Sequence, residues 1–257
     1  MKKENNKIKW LNRQNVRSMT IFISFLLFPI IQWYFSPFLI IMGAAEGIMN
    51  GSFIVFMVMI LIGFFFGRGA CGFIMPCAGL QECMFSVNGR QQKNRKLFRL
   101  KYFIWAIWVL VIAAFVTMAR GYHKIDFFYG IESGISVDEA WKYIIYYIVV
   151  VTFFFMSLFI GKRASCHYIC WIAPFMVIGR KLRNLLGTPA LQLTAEESKC
   201  IDCRICEREC PMSLPVSEMV QEHKMEQSEC ILCGKCADSC PKKVIHLGFG
   251  CPERRRK

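Results

Sequence analysis

Two identical cysteine patterns near the C-terminus constrain this sequence more than any other feature. Both have the form C-x2-C-x2-C-x3-C-P, one over residues 200–211 and the other over residues 230–241. In such a run the first three cysteines bind one iron–sulfur cubane and the fourth reaches the neighbouring cubane. We therefore expect two [4Fe–4S] clusters. Their ligands would be Cys200, Cys203, Cys206 and Cys240 for the first, and Cys230, Cys233, Cys236 and Cys210 for the second.

Zinc is the alternative occupant, because C-x2-C pairs also build zinc ribbons. Two runs of identical spacing, each closed by a proline, favour iron–sulfur clusters. Ligand thiolates must stay reduced, so this part of the chain is expected to face the cytoplasm. We expect residues 187–257 to form a bacterial-type double-cubane ferredoxin domain of the α+β class, which acts as an electron relay.

The first 186 residues have the opposite character. Hydrophobic residues make up 55% of the whole chain, above the usual share for globular proteins, and the excess lies in four uncharged runs. A helix that crosses a bilayer needs roughly 20 apolar residues, so each run is expected to be a transmembrane helix. The runs are 18–45 (interrupted by Pro29 and Pro37), 47–67, 102–119 and 143–161.

The distribution of basic residues predicts the orientation, because cytoplasmic loops carry an excess of Lys and Arg. The tail over 1–17, the loop after the second run and the segment after the fourth carry six, seven and five basic residues; the two intervening loops carry none and three. We expect a multi-pass protein of the prokaryotic inner membrane, with both termini and the ferredoxin domain in the cytoplasm. The net charge of +14 reflects these flanks, and no alternation of basic and aromatic residues predicts nucleic-acid binding.

The last segment of the membrane domain (18–186) is amphipathic over residues 172–186. Such a pattern suits a helix that lies in the cytoplasmic interface of the bilayer. An ordinary helix packed on the ferredoxin domain is the alternative.

A second set of cysteines follows each pair of apolar runs. A glycine, a basic residue and a cysteine recur at Gly67 and Gly161, and the cysteines, Cys71 and Cys166, are 95 positions apart. We interpret this as an internal repeat of two hairpins. The repeat brings Cys71, Cys77, Cys166 and Cys170 to one membrane depth, with Cys83 nearby.

These thiols suggest either a further metal or iron–sulfur centre or a redox-active thiol pair at the membrane surface. The alternative is that they are small buried apolar residues. Cys251 is expected to have no role. No haem is expected, because the histidines (His123, His167, His223 and His246) all lie outside the apolar runs.

Four helices in two Cys-bearing hairpins and a double-cubane ferredoxin domain together resemble the NapH-type membrane ferredoxins. These are quinol-dehydrogenase-like subunits of the periplasmic nitrate reductase system, with relatives among cytochrome oxidase accessory and nitrous-oxide regulatory proteins. The resemblance covers nearly the whole chain and implies an oxidoreductase subunit that exchanges electrons with quinone at the hairpin ends. Family members have C-x3-C-P at both ends, whereas Met75 and Trp171 interrupt the two motifs here. No segment resembles the flavin-binding domain of the larger relatives, so no flavin is expected.

The leading hypothesis is a membrane-bound electron-transfer subunit, in contact with membrane lipid. It would pass electrons between a soluble ferredoxin or flavodoxin, attracted by the basic cytoplasmic surface, and a quinone or partner redox subunit. The alternative is a maturation or assembly factor that reduces a metal ion or metal cofactor for another enzyme, since the extra cysteines and Met75 suit soft metals. A transporter is disfavoured, because the runs carry no charged residues and only Pro29 and Pro37 suggest broken helices.

Overall fold

The computed structural model describes residues 12–92, 95–131 and 134–251, apart from the side chains of residues 95 and 96. Most of the tail expected over residues 1–17 therefore lies outside the described residues. The described chain is mostly helical, with a helical body up to residue 186 and a small cysteine-rich domain after it.

The first apolar run forms several short helices. Helix α1 spans Arg13–Leu26, α2 spans Phe28–Ile31, a 3-10 turn spans Gln32–Phe35 and α3 spans Pro37–Ala45. Proline starts α3 and stands in the first turn of α2, because its missing N–H is tolerated at a helix start but interrupts a helix interior. The axis bends by 61° between α1 and the segment Phe28–Phe35.

Two helices in the described part of the chain are long and apolar enough to cross a membrane. They are Leu97–Met118, which contains α7 (Leu100–Met118), and α8 (Ala140–Phe159). The bent pair of α1 and Phe28–Phe35 would supply a third crossing if it counts as one span. Helix α4 (Gly51–Phe66) has 16 residues, fewer than the roughly 20 of a full crossing. The four expected helices thus correspond to two full-length candidates, one broken segment and one short apolar helix.

The two halves of the helical body share a local pattern after α4 and α8. A glycine with positive φ closely follows both helices, Gly67 at 55° directly after α4 and Gly161 at 120° two residues after α8. A five-residue helix follows, and then a longer helix with proline in its first turn. This agreement supports the internal repeat inferred from the sequence. The short helices are α5 (Gly69–Phe73) and α9 (Ala164–Tyr168), and the longer ones are α6 (Pro76–Cys83) and α10 (Ala173–Leu186).

The loops between the helices gather at two ends of the body. Strand β1 (Ile48–Asn50) pairs in parallel with β2 (Lys124–Asp126) beside the start of α4 and the end of α7. At the other end of α4 and α7, the side chain of Gln14 donates a hydrogen bond to the Cys233 carbonyl at 2.9 Å. The N-terminal helix and both Cys-bearing hairpin ends therefore lie beside the cysteine-rich domain.

Helices α4 and α10 approach each other closely at two glycines. A Cβ on Gly63 would lie 2.5 Å from the Met176 carbonyl oxygen, and one on Gly179 would lie 2.1 Å from that of Ile60. Small residues are what allow two helix backbones to come this near. The position of α10 on the helical body therefore depends on these two residues.

The N-terminal half of α10 buries apolar residues such as Met176, whereas in its C-terminal half the buried side carries arginines and the exposed side is largely apolar. Arg180 is buried and donates to Glu226, with 2.8 Å between Nε and Oε1, while Leu182 and Leu185 are exposed. The amphipathic helix expected over 172–186 is thus packed on the cysteine-rich domain by its polar side. On the neighbouring helix α4, Leu61 is likewise exposed.

The cysteine-rich domain is built on one antiparallel strand pair and short helices. Strand β3 (Ala190–Ala195) pairs with β4 (Ile245–Gly250), in a register that joins Ala190 to Gly250 and Ala195 to Ile245. Its buried apolar residues form one continuous core with those of the helical body. The helices are α11 (Ile205–Glu209), α12 (Val216–Gln221) and α13 (Lys235–Asp238).

A buried carboxylate joins α1 to both hairpin ends. Glu82 accepts hydrogen bonds from Arg17, at 2.8 and 2.7 Å, and from Arg163. Burial raises the pKa of Glu82, but Arg163 and Arg17 outweigh burial and bring it below the ordinary value. Glu82 is therefore ionised, and it neutralises two arginines that the sequence counts only as topology signals.

Gly179→Ala should separate α4 from α10, because the added methyl group would overlap the Ile60 carbonyl. We expect a loss of about 1–3 kcal/mol in the free energy of unfolding, measured by thermal unfolding of the purified protein in detergent. Gly248→Ala is the matched control, since a Cβ there has no neighbour within 4 Å. Equal stability of the two variants would contradict the close helix contact.

Glu82→Gln should leave two buried guanidinium groups without a counter-ion. Removing one partner of a buried ion pair costs about 3–5 kcal/mol, so we expect unfolding at a markedly lower temperature. Glu222→Gln is the control, because Glu222 pairs with Lys224 at the surface and exposed pairs contribute little. If both variants unfolded together, the Glu82 network would not stabilise the fold.

Candidate iron–sulfur centres

The first ferredoxin-type quartet lines one cavity at the surface of the domain, where Cys203 is exposed. Two of its cysteines come from the loop that leads into α11, the third lies in the first turn of α11, and the fourth follows α13. The last cysteine of the second run thus lines the same cavity as the first three cysteines of the first run. The cysteines are Cys200, Cys203, Cys206 and Cys240.

The second quartet lines another cavity and is more enclosed, because Cys210, Cys233 and Cys236 are buried. Its lining is otherwise apolar and includes Met212, Leu214 and Ile231. Burial raises the pKa of Cys230 to about 12, so a bound metal must displace the proton for this thiol to act as a ligand. The cysteines are Cys210, Cys230, Cys233 and Cys236.

The two runs repeat the same unusual backbone at equivalent positions. Asp202 and Leu232 both have φ of 48°, and Arg204 and Gly234, two positions later, have φ of 54° and 72°. Non-glycine residues rarely adopt this left-handed conformation. Loops that combine it with right-handed residues turn successive N–H groups into a concave surface, as in many iron–sulfur sites.

The chemistry of these residues fits iron–sulfur clusters better than zinc. In the described ranges no three His, Cys, Asp or Glu side chains are close enough to hold one metal ion, and the cysteines are all free. A zinc site would bring four sulfurs to about 2.3 Å from a single ion. Four separate thiols around one cavity suit a polynuclear cluster instead.

The second quartet is in direct contact with the helical body. A Cβ on Gly72 would lie 2.7 Å from the Ile231 carbonyl oxygen and 3.5 Å from the Cys233 Cβ. On the other side, a Cβ on Gly234 would lie 2.6 Å from the guanidinium carbon of Arg13. The loop of the second quartet is therefore enclosed between α1 and the first hairpin end.

The cysteines of the two hairpin ends also come together. Burial raises the pKa of Cys71, Cys77 and Cys170, and the neighbouring thiols raise it further. The Cys166 thiol raises the pKa of all three. The Cys71 thiol raises the pKa of Cys77 and Cys170, and the Cys170 thiol raises the pKa of Cys77. All four are therefore mutual neighbours, whereas Cys83 is exposed.

A buried cation that sequence reasoning missed as a site residue lies beside Cys71, Cys166 and Cys170. Arg68 is 2% exposed, and its Nη1 donates to the Glu229 carboxylate at 3.0 Å and to the Ser228 carbonyl at 3.2 Å. Burial lowers the pKa of Arg68, but Cys71, Glu229 and the other nearby thiols raise it above the ordinary value. The sequence signal is the acidic residue that directly precedes the second cysteine run.

Glu229 is the centre of a small charge cluster between the two parts of the chain. Besides Arg68 it accepts hydrogen bonds from the Lys101 ammonium at 2.6 and 2.5 Å. The buried His167 ring stacks on Phe98, with 4.2 Å between ring centroids, and its Nδ1 lies 3.9 Å from Glu229. Burial lowers the pKa of His167 to about 3, so this ring is neutral.

Comparisons with known proteins agree with the cysteine geometry. Residues 199–245 match the family described as the 4Fe-4S dicluster domain. The helical body lies outside this match. No solved structure matches the chain.

Two relatives come from Methanocaldococcus jannaschii. The uncharacterized protein MJ0749 is 26% identical over 173 residues, which cover 64% of this chain and 60% of the relative. The uncharacterized protein MJ0750 is 24% identical over 193 residues, which cover 71% of this chain and 73% of the relative. The first match thus spans less than two thirds of that relative's length, and both extend into the helical body. From the domain match, the chain is an iron–sulfur protein with a C-terminal 4Fe–4S ferredoxin domain.

Proposed function

We propose that this chain is a membrane-bound electron-transfer protein of the NapH type. It passes electrons between a soluble cytoplasmic carrier, such as a ferredoxin or flavodoxin, and a quinone or partner redox subunit in the membrane. The observation that carries the proposal is the contact at Gly72, where the buried second quartet touches the apolar helical body. A soluble electron carrier would need no such contact.

The two quartets would hold two [4Fe–4S] clusters, with the ligands expected from the sequence. Each cluster, when bound, takes up and releases one electron. Cys203 is exposed, so the first quartet is accessible to a soluble partner. Exposed charges near it are of both signs, for example Asp202 and Arg204. Met212 and Leu214 exclude water from the second quartet, which favours onward transfer over reaction with solvent.

The exposed surface of α7 and α8 supports membrane insertion of the segment 18–186. Leu110, Met118 and Phe159 are at least 70% exposed, and contiguous apolar surface of this kind needs a lipid or protein cover. The basic hairpin ends lie at the same end of the body as the cysteine-rich domain, as the positive-inside rule requires of cytoplasmic segments. We place the tail (1–17) and the domain (187–257) in the cytoplasm, and the chain in the inner membrane of a prokaryotic cell.

A maturation factor that reduces a metal ion or metal cofactor is the second candidate. The observation in its favour is a pair of soft donors, with 3.3 Å between the Cys71 Sγ and the Met176 Sδ. The described residues offer no group of three His, Cys, Asp or Glu side chains for a single ion. We therefore prefer electron transfer.

The assignment of cysteines across the two runs can be tested by substitution. Cys240→Ser and Cys203→Ser should remove the same electron paramagnetic resonance (EPR) signal, and Cys210→Ser and Cys233→Ser should remove the other. The reason is that each cavity is lined by one distant and three local cysteines. Cys251→Ser is the control, because this exposed thiol lines neither cavity. If Cys240→Ser instead removed the signal lost in Cys233→Ser, the crossed assignment would be wrong.

Gly72→Ala tests the route into the membrane. The methyl group would push the Ile231 carbonyl away, so we expect slower oxidation of the chemically reduced protein by a quinone in proteoliposomes, with unchanged iron content. Gly69→Ala is the matched control on the same short helix, since the nearest atom to its Cβ is at 3.7 Å. Equal quinone-dependent rates in both variants would argue against electron passage at this contact. The absence of oxidation in the wild-type protein would contradict the quinone role itself.

A further inference from the structure

Four thiols in the helical body have no role in the ferredoxin quartets. Cys71 and Cys77 come from the first hairpin end, and Cys166 and Cys170 come from the second. They belong to different elements, and each is a neighbour of the other three. The Gln81 amide holds the second hairpin end in place, since its oxygen accepts from the Ser165 N–H at 3.2 Å and its Nε2 lies 3.5 Å from the Cys166 Sγ.

Orphaned hydrogen-bond donors surround this set of thiols. Arg68 Nε and Nη2 and Arg163 Nε are buried and meet no nitrogen or oxygen acceptor among the described residues, and the Arg68 guanidinium lies within reach of the Cys71 thiol. Arg163 is fully buried and its Nη1 donates to the Cys71 carbonyl at 2.8 Å. Buried donors without acceptors are rare and costly. Two guanidinium groups beside four thiols therefore point to a missing group that is negative and accepts hydrogen bonds.

Simpler uses of the four thiols do not fit the geometry. All of them are free, so they do not form disulfide pairs. No three of them are close enough to share a single metal ion within the described residues. The ferredoxin quartets show the same two properties, and there the domain family identifies iron–sulfur binding.

We propose that Cys71, Cys77, Cys166 and Cys170 hold a third [4Fe–4S] cluster at the junction of the two hairpins. The inference rests on the proposed electron-transfer function and extends it by one centre. Binding would replace four S–H bonds by four iron–sulfur bonds and release four protons. The oxidised cluster with four thiolates carries a charge of roughly −2, which Arg68 and Arg163 would balance, with their free N–H groups as donors to its sulfides.

The position of this set gives the third cluster an immediate neighbour. Cys71 precedes Gly72, and a Cβ on Gly72 would lie only 3.5 Å from the Cys233 Cβ. Cys233 belongs to the second quartet. The three sets of cysteines therefore lie in series from the exposed Cys203 to the core of the helical body. The third set would be the redox centre nearest to the membrane.

The first test counts iron and acid-labile sulfide per chain in full-length protein purified without oxygen. We expect about twelve of each in the wild type, four per cubane, and about eight in Cys166→Ser and Cys77→Ser, with both ferredoxin EPR signals retained. Cys83→Ser is the matched control and should keep all twelve. Two variants from different hairpins guard against a single misfolded protein.

The outcomes separate this inference from the proposed function. A wild type with eight iron atoms, whether or not zinc is also bound, would overturn the third cluster and leave the two-cluster relay intact. An unchanged iron content in both serine variants would also overturn the third cluster and leave the two-cluster relay intact. Fewer than eight iron atoms, with no loss in Cys233→Ser, would instead count against the proposed function and against the third cluster that rests on it.

Arg68 provides a second readout. Arg68→Gln should lower the reduction potential of the third centre, because a buried positive charge favours the more negative reduced state, and Arg68→Lys should largely restore it. The potentials are measured by EPR-monitored redox titration, and the signal of the first quartet should not move. A potential unaffected by Arg68→Gln in a protein with twelve iron atoms would show that the third centre lies away from Arg68 and would refute this location.

Discussion

The junction between the two parts of this protein depends on buried cations that must be neutralised. A guanidinium or ammonium group removed from water is costly unless a carboxylate accompanies it. Glu82 meets this need for Arg17 and Arg163, and Glu229 meets it for Arg68 and Lys101. Since Glu229 directly precedes the second cysteine run, the same ion pairs that stabilise the helices also fix the ferredoxin domain against them. These two carboxylates therefore help to hold the hairpin ends and the second cysteine run in one arrangement.

Three of the four cysteines in each ferredoxin quartet could be foreseen because their spacing is a local property, while the fourth follows from the known crossing of ligands between doubled motifs. Three cysteines at a spacing of three residues must lie on one loop, and the proline after the fourth ends each run. The positions of the apolar segments were also readable from composition. Composition did not show whether each segment forms one continuous helix, since Pro29 and Pro37 break the first run into short helices. Length alone therefore overstated the number of full-length candidates among the described helices.

The residues that join the parts were not readable from the sequence, because their partners are far apart along the chain. Arg68 and Glu229 are 161 positions apart, and Arg163 and Glu82 are 81 positions apart. In the sequence these arginines count as topology signals, and only the fold shows that they are paired internally. The sequence does not show why glycine is needed at positions 72 and 179, because the need comes from carbonyl groups that only the folded chain brings opposite them. Contacts of this kind require the tertiary arrangement.

The matching backbone of the two cysteine runs has a consequence for how the ferredoxin domain is oriented. A domain with two similar halves could pack on the helices in two orientations that differ by a half turn. At the shared left-handed position one half has Gly234 and the other has Arg204. The guanidinium group of Arg13 occupies the space beside Gly234, and a rotated domain would bring Arg204 there, with steric overlap and like charge. The absence of a side chain at Gly234 thus breaks the symmetry of the domain and favours the orientation in which the second half packs on the helical body.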